Sequence, residues 1–148
     1  MEKKHRPFRK DKLVFEDNQI KRIQSYSGKE LKELGRKYKY SDPQKATKYF
    51  EAAISKGENT LAELASCYRR IKEPEKVFSL LHFPKKMHSV ALYTSVAGAY
   101  LDLENYTEAW HYADWAYFLA GGKATDELKN LYSKLHRIDP YRVYKKED

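Results

Sequence analysis

Cysteine is nearly absent. Cys67 is the only one in 148 residues, so no disulfide can form within the chain. A covalently stapled scaffold is excluded, and a reducing compartment fits this usage. Long apolar runs are missing too: none approaches the roughly 20 residues that a bilayer-spanning helix needs. The charged start MEKKHRPFRKDK has no apolar stretch behind it, so no secretory signal is expected, and the cytoplasm is the expected location. Catalytic signatures are also lacking. His5, His82, His88, His111 and His136 show no metal-ligand spacing, and no HExxH, CxxC, GxSxG or phosphate-loop pattern occurs. No catalytic residue, metal or cofactor is expected. Cys67 has no base beside it in the chain and is expected as a packed thiol.

Positive charge and tyrosine are plentiful. Twenty-nine Lys and Arg face 21 Asp and Glu, a formal net charge of +8 that favours anionic partners. Thirteen tyrosines are many for this length, and a tyrosine can fill a seam between helices while its hydroxyl reaches water. The length suits one domain with a continuous core.

One pattern recurs. Leu31–Leu34–Gly35–Tyr38, Leu61–Leu64–Ala65–Tyr68 and Tyr93–Val96–Ala97–Tyr100 share the same spacing of large, aliphatic, small and Tyr positions. Self-similarity at this period is the mark of stacked helical hairpins, which bind more often than they catalyse.

Capping and breaking residues set the expected boundaries. Ser27 with Glu30 forms a capping box for a helix over 28–39, and Asp42-Pro43 opens a second that Gly57 ends. Asn59 or Thr60 caps a helix over 61–71. Pro74 opens a short partner that Pro84 stops. A third hairpin takes a helix over 90–103, a turn at Asn105-Tyr106-Thr107 with Thr107 as cap, and a helix to about Ala120 that Gly121-Gly122 terminates. Thr125 or Asp126 caps a last helix with Leu128, Leu131, Tyr132, Leu135 and Ile138 facing inward and Lys129, Asn130, Lys134 and Arg137 outward. The expected fold is all-α: a superhelix of three helical hairpins over 25–140 plus this capping helix. A basic, flexible N-terminal arm spans 1–24 and a fraying tail spans 141–148.

The segment AYLDLENYTEAWHYADWAYFL resembles a tetratricopeptide repeat at Tyr93, Val96, Ala97, Tyr100, Tyr106, Ala109, Ala113 and Ala116. The first two hairpins match more loosely, and the resemblance covers about residues 29–120. The family's period is about 34 residues; the copies here are closer together, and Val77 stands where the family has alanine. The resemblance implies that the first helix of each hairpin lines a concave groove. Carried over residue by residue, it implies ligand contacts from Lys29, Lys32, Arg36, Lys39, Arg69 and Arg70, with Asn59, Ala62, Ser66, Ala91, Thr94, Gly98 and Asp102 beside them. Such a groove is basic at its N-terminal end and small or neutral at its far end. The family's carboxylate clamp is not matched, because Arg36 and Ser66 stand where it has asparagines.

The expected function is therefore a non-catalytic adaptor that holds an acidic segment of a partner protein. The competing reading is nucleic-acid binding, with Arg6, Arg9 and Lys10 of the arm and the groove neutralising phosphates. Trp110 and Trp115 cannot share one narrow helix face. Both are expected in seams, and an exposed one would offer an anchor to a partner or a second copy of the chain.

Overall fold

The computed structural model describes residues 22–139. Arg6, Arg9 and Lys10 of the expected arm, and the expected tail, lie outside them. The described residues are all-α, with no strand, and no helix among them is long and apolar enough to cross a membrane.

Each helix starts where the chain supplies an acceptor for its free amide groups. Helix α1 (Gly28–Tyr38) has a reciprocal cap. The Ser27 hydroxyl accepts from the Glu30 amide at 3.1 Å, and the Glu30 carboxylate accepts from the Ser27 amide at 3.0 Å. These hydrogen bonds, that from the Ser27 backbone first, hold the Glu30 carboxyl below its ordinary range. Helix α2 (Pro43–Ser55) starts with Asp42 accepting from the Lys45 amide at 3.2 Å. It ends before Gly57, whose φ of +92° suits glycine. The Lys56 ammonium then donates to the carbonyls of Gln24 and Tyr26, tying the helical turn at 22–25 to the end of α2.

Helix α3 (Leu61–Arg70) and helix α4 (Pro74–Ser79) follow. As Pro84 dictates, α4 is short, and two 3-10 turns, Leu80–His82 and Lys85–Met87, complete the span. Helix α5 (Val90–Asp102) is capped by the Ser89 hydroxyl, which accepts from the Leu92 amide at 3.1 Å. Helix α6 (Tyr106–Leu119) and helix α7 (Asp126–Ile138) complete the set. The turn between them passes Gly121 and Gly122 at φ +70° and +82°, and the Thr125 hydroxyl caps α7.

Three expectations need correction. Thr107 does not cap α6; the Asn105 side chain does, accepting from the Glu108 amide at 3.3 Å, because Tyr106 is already helical. The Thr60 hydroxyl does not cap α3 but donates to the Phe50 carbonyl at 2.7 Å in the core, pinning α3 to α2. Asn59 accepts from the Leu61 amide instead. Ile138, expected inward, is half-exposed at the last turn of α7.

The helices pack in chain order: α1 on α2, α2 on α3, α3 on α4 and α5, α5 on α6, and α7 on both α6 and α5. Phe50, Leu64, Val77, Leu92, Val96, Leu128 and Leu135 are buried within one continuous core. Each such side chain contributes about 1.5–3 kcal/mol. Small residues set the helix separation. Ala97 on α5 and Ala109, Ala113 and Ala116 on α6 are fully buried at the third hairpin's seam. In the first hairpin a Cβ on Gly35 would stand 2.5–2.7 Å from the Phe50 ring, so only glycine lets that ring lie across α1. Trp110 is buried between α6 and α7, against the rings of Tyr132 and His136. Trp115 is 48% exposed and touches Tyr93 edge-on.

The turns of the second and third hairpins have the same backbone design. The Glu73 amide donates to Tyr68 O and the Asn105 amide to Tyr100 O, both at 2.9 Å. Lys72 and Glu104 take the same left-handed conformation, at φ 64° and 60°. In the first hairpin the Asp42 amide donates to Tyr38 O at 2.8 Å, and no residue turns left-handed.

Two substitutions probe this backbone with opposite signs. Gly35→Ala gains helix propensity but forces the buried Phe50 ring aside, and urea titration is expected to show a net loss of about 1–2 kcal/mol. Glu104→Gly relieves a left-handed L-residue and is expected to gain about 0.5–1 kcal/mol by the same measurement.

Candidate binding groove

Helices α1, α3 and α5 and the start of α7 border a half-open cavity of about 450 Å³. Arg36 and Lys39 form its wall on α1. Ala62, Glu63 and Ser66 come from α3, and Ala91, Thr94 and Ser95 from α5. Thr125 and Glu127, at the head of α7, stand on the remaining side. Helical periodicity explains the set: Arg36 with Lys39, Ala62 with Ser66, and Ala91 with Ser95 are three or four residues apart and share a face. The volume is in the range of small-ligand sites and suits a few side chains of a bound segment.

The charges of this cavity balance. The Arg36 Nε lies 3.2 Å from the Glu63 carboxylate, with side-chain exposures of 60% and 18%. A pair this open adds at most about 1 kcal/mol to stability, but it neutralises one cation of the wall. Lys39 and Glu127 each lack an opposite charge within 4 Å among the described residues. The Lys39 ammonium has only its neighbour's ring, 5.6 Å from the Tyr40 centroid. The Thr94 hydroxyl is spent on the Val90 carbonyl at 2.8 Å.

Of the six cations expected to meet a ligand, Arg36 and Lys39 reach this cavity. Lys29 is exposed and Lys32 half-buried on α1, outside the lining. Arg69 clamps Asp102 instead, through Nε to Oδ2 at 2.9 Å and Nη2 to Oδ1 at 3.2 Å. Its guanidinium crosses α5 at Gly98, where any Cβ would collide with it. This clamp ties α3 to α5 and borders a separate hollow of about 430 Å³ beside Lys72 and Pro74. The Arg70 guanidinium lies over the Tyr40 ring, 4.5 Å from its centroid. Ala62, Ser66, Ala91 and Thr94 stand in the lining as the resemblance implies, whereas Asn59, Gly98 and Asp102 do not. Asn59 is tied to the Met87 carbonyl at 2.8 Å.

Sequence reasoning missed Glu63, Ser95, Thr125 and Glu127. Glu63 and Ser95 directly follow expected groove residues, so a wider helical face would have included them. Nothing in the repeat pattern points to the head of α7.

Two other reactive side chains are held within the fold. His88 is held by both ring nitrogens, 2.8 Å from the Tyr93 hydroxyl and 2.9 Å from the Phe83 carbonyl. The Cys67 thiol is buried, and burial raises its pKa, away from the thiolate a nucleophile needs. Among the described residues no three His, Cys, Asp or Glu side chains gather into a metal-binding group. No family model, curated protein or solved structure matches the chain.

Tyr68, at the end of α3, carries the largest pKa change: burial first, and then the Glu51 carboxylate, push it up to about 12. An unfolded tyrosine ionises near 10, so the folded state holds this proton more tightly. That stabilisation is complete below about pH 10 and is lost as pH rises from there toward 12. Stability measured by denaturant titration is expected to fall over that window, and to fall less in Tyr68→Phe.

Proposed function

We propose that this chain is a non-catalytic adaptor of tetratricopeptide type. Its three hairpins and capping helix form a short superhelix whose concave side holds an acidic segment of a partner protein. The observation that carries the reading is the cavity bordered by α1, α3 and α5, the first helix of every hairpin. The matching turns after Tyr68 and Tyr100 support a repeated unit.

The chemistry of the groove suits a peptide. Ala62, Ser66, Ala91 and Ser95 give a small-residue floor that leaves space for side chains of the guest. On the α1 wall Lys39 has no counter-charge within 4 Å among the described residues, and a carboxylate of the guest supplies one through a charge-assisted hydrogen bond. The open Arg36–Glu63 pair costs little to rearrange, so Arg36 adds a second donor. Lys29 and Lys32, outside the cavity, act by drawing an acidic partner toward it.

Arg36→Gln with Lys39→Glu tests this assignment. Glutamine at 36 avoids setting two carboxylates against each other beside Glu63. The wild-type chain is used to recover its partner from native cells, and the partner is identified by mass spectrometry. The double variant is expected to bind that partner at least tenfold more weakly with an unchanged circular dichroism spectrum. Full affinity in a folded double variant rejects the groove. Equal, steeply salt-dependent binding of random RNA by both forms would favour the nucleic-acid reading instead.

A further inference from the structure

The groove has a direction. Lys39 on α1 and Glu127 on α7 are the two lining charges with no opposite charge within 4 Å among the described residues, and they stand on different walls of one cavity. The other two charges of the lining, Arg36 and Glu63, already satisfy each other at 3.2 Å. An all-acidic guest would answer Lys39 but would set a carboxylate against Glu127. At close range that repulsion costs as much as the attraction gains.

From this we infer that the groove takes a bipolar peptide segment in one fixed orientation, with an acidic side chain at Lys39 and a lysine or arginine at Glu127. The inference rests on the peptide-binding reading above and narrows the guest from acidic to charge-alternating. Between the two charges the guest lies over the small side chains of α3 and α5, where it meets little steric obstruction. Reversing the guest places like charges together at both ends. The groove therefore distinguishes a sequence with its acid before its base from the same residues in the opposite order. Glu127 acts here as a negative selector as well as a contact: it rejects polyacidic segments that the net charge of +8 would otherwise attract.

A displayed random-octamer library, panned on the full chain, reads this out. Four proteins are compared: wild type, Lys39→Glu, Glu127→Lys and the milder Glu127→Gln. Glu127 is exposed, and folding of each is checked by circular dichroism. The wild type is expected to enrich octamers that carry one acid and one base in a single order. Glu127→Lys and Glu127→Gln should lose the preference for the base at least tenfold and keep that for the acid. Lys39→Glu should lose the acid. Acid-only octamers, or both orders equally enriched, would overturn the polarity while leaving the adaptor reading in place. Enrichment insensitive to Lys39→Glu, or no enrichment at all, would overturn both.

Discussion

Close approach between helices is the constraint from which the rest of this structure follows. At two crossings, one helix offers a glycine and the other lays a large group across it. Gly35 receives the Phe50 ring in the first hairpin, and Gly98 receives the Arg69 guanidinium between the second and third. Ala97 and Ala109 are the fully buried small pair of the third hairpin. The Gly35 and alanine contacts hold helices at van der Waals distance, and interiors at crystal-like density transmit such a spacing without slack, while Gly98 leaves room for the Arg69 guanidinium to cross. The groove is a consequence: once α1 and α3 are fixed on α2, and α3 is packed on α5, the faces left over around Arg36, Ser66 and Ser95 stay open.

The same packing decides which charges are free to act. A lysine-rich chain offers many cations, but the fold uses several of them. Arg69 is consumed by Asp102, Arg70 covers Tyr40, and Lys56 binds two carbonyls near the start of the described chain. Lys39 lines the cavity with no opposite charge within 4 Å among the described residues. Net charge is therefore a poor guide to the cavity, where most of the surrounding cations already have partners within the fold.

Local signals were legible in the sequence and distant ones were not. The Ser27–Glu30 box, Pro43, Pro74 and the Gly121-Gly122 stop marked helix ends to within a residue or two, because a cap is chemistry between near neighbours. The small positions shared by the three copies, Gly35, Ala65 and Ala97, are all buried. Thr107 failed as a cap because Asn105, also a good acceptor, stands where the chain actually enters the helix. Thr60 failed because its hydroxyl found a buried carbonyl across the α2–α3 junction. Long-range pairs were invisible: nothing in the spacing of Arg36 and Glu63, or of Arg69 and Asp102, announces that they meet. The place of Glu127 beside the cavity was hidden for the same reason, since α7 reaches it only through tertiary packing.

The Arg69–Gly98–Asp102 crossing tests the packing claim most directly, because it joins two hairpins through one small residue. The measurement is the coupling energy between Arg69 and Asp102 from a double-mutant cycle in urea, made once in the parent and once in the Gly98→Ala background. The close-approach account predicts a coupling of about 0.5–1 kcal/mol in the parent that vanishes when a methyl group occupies the crossing. A coupling absent from the parent, or one that survives Gly98→Ala undiminished, would contradict it.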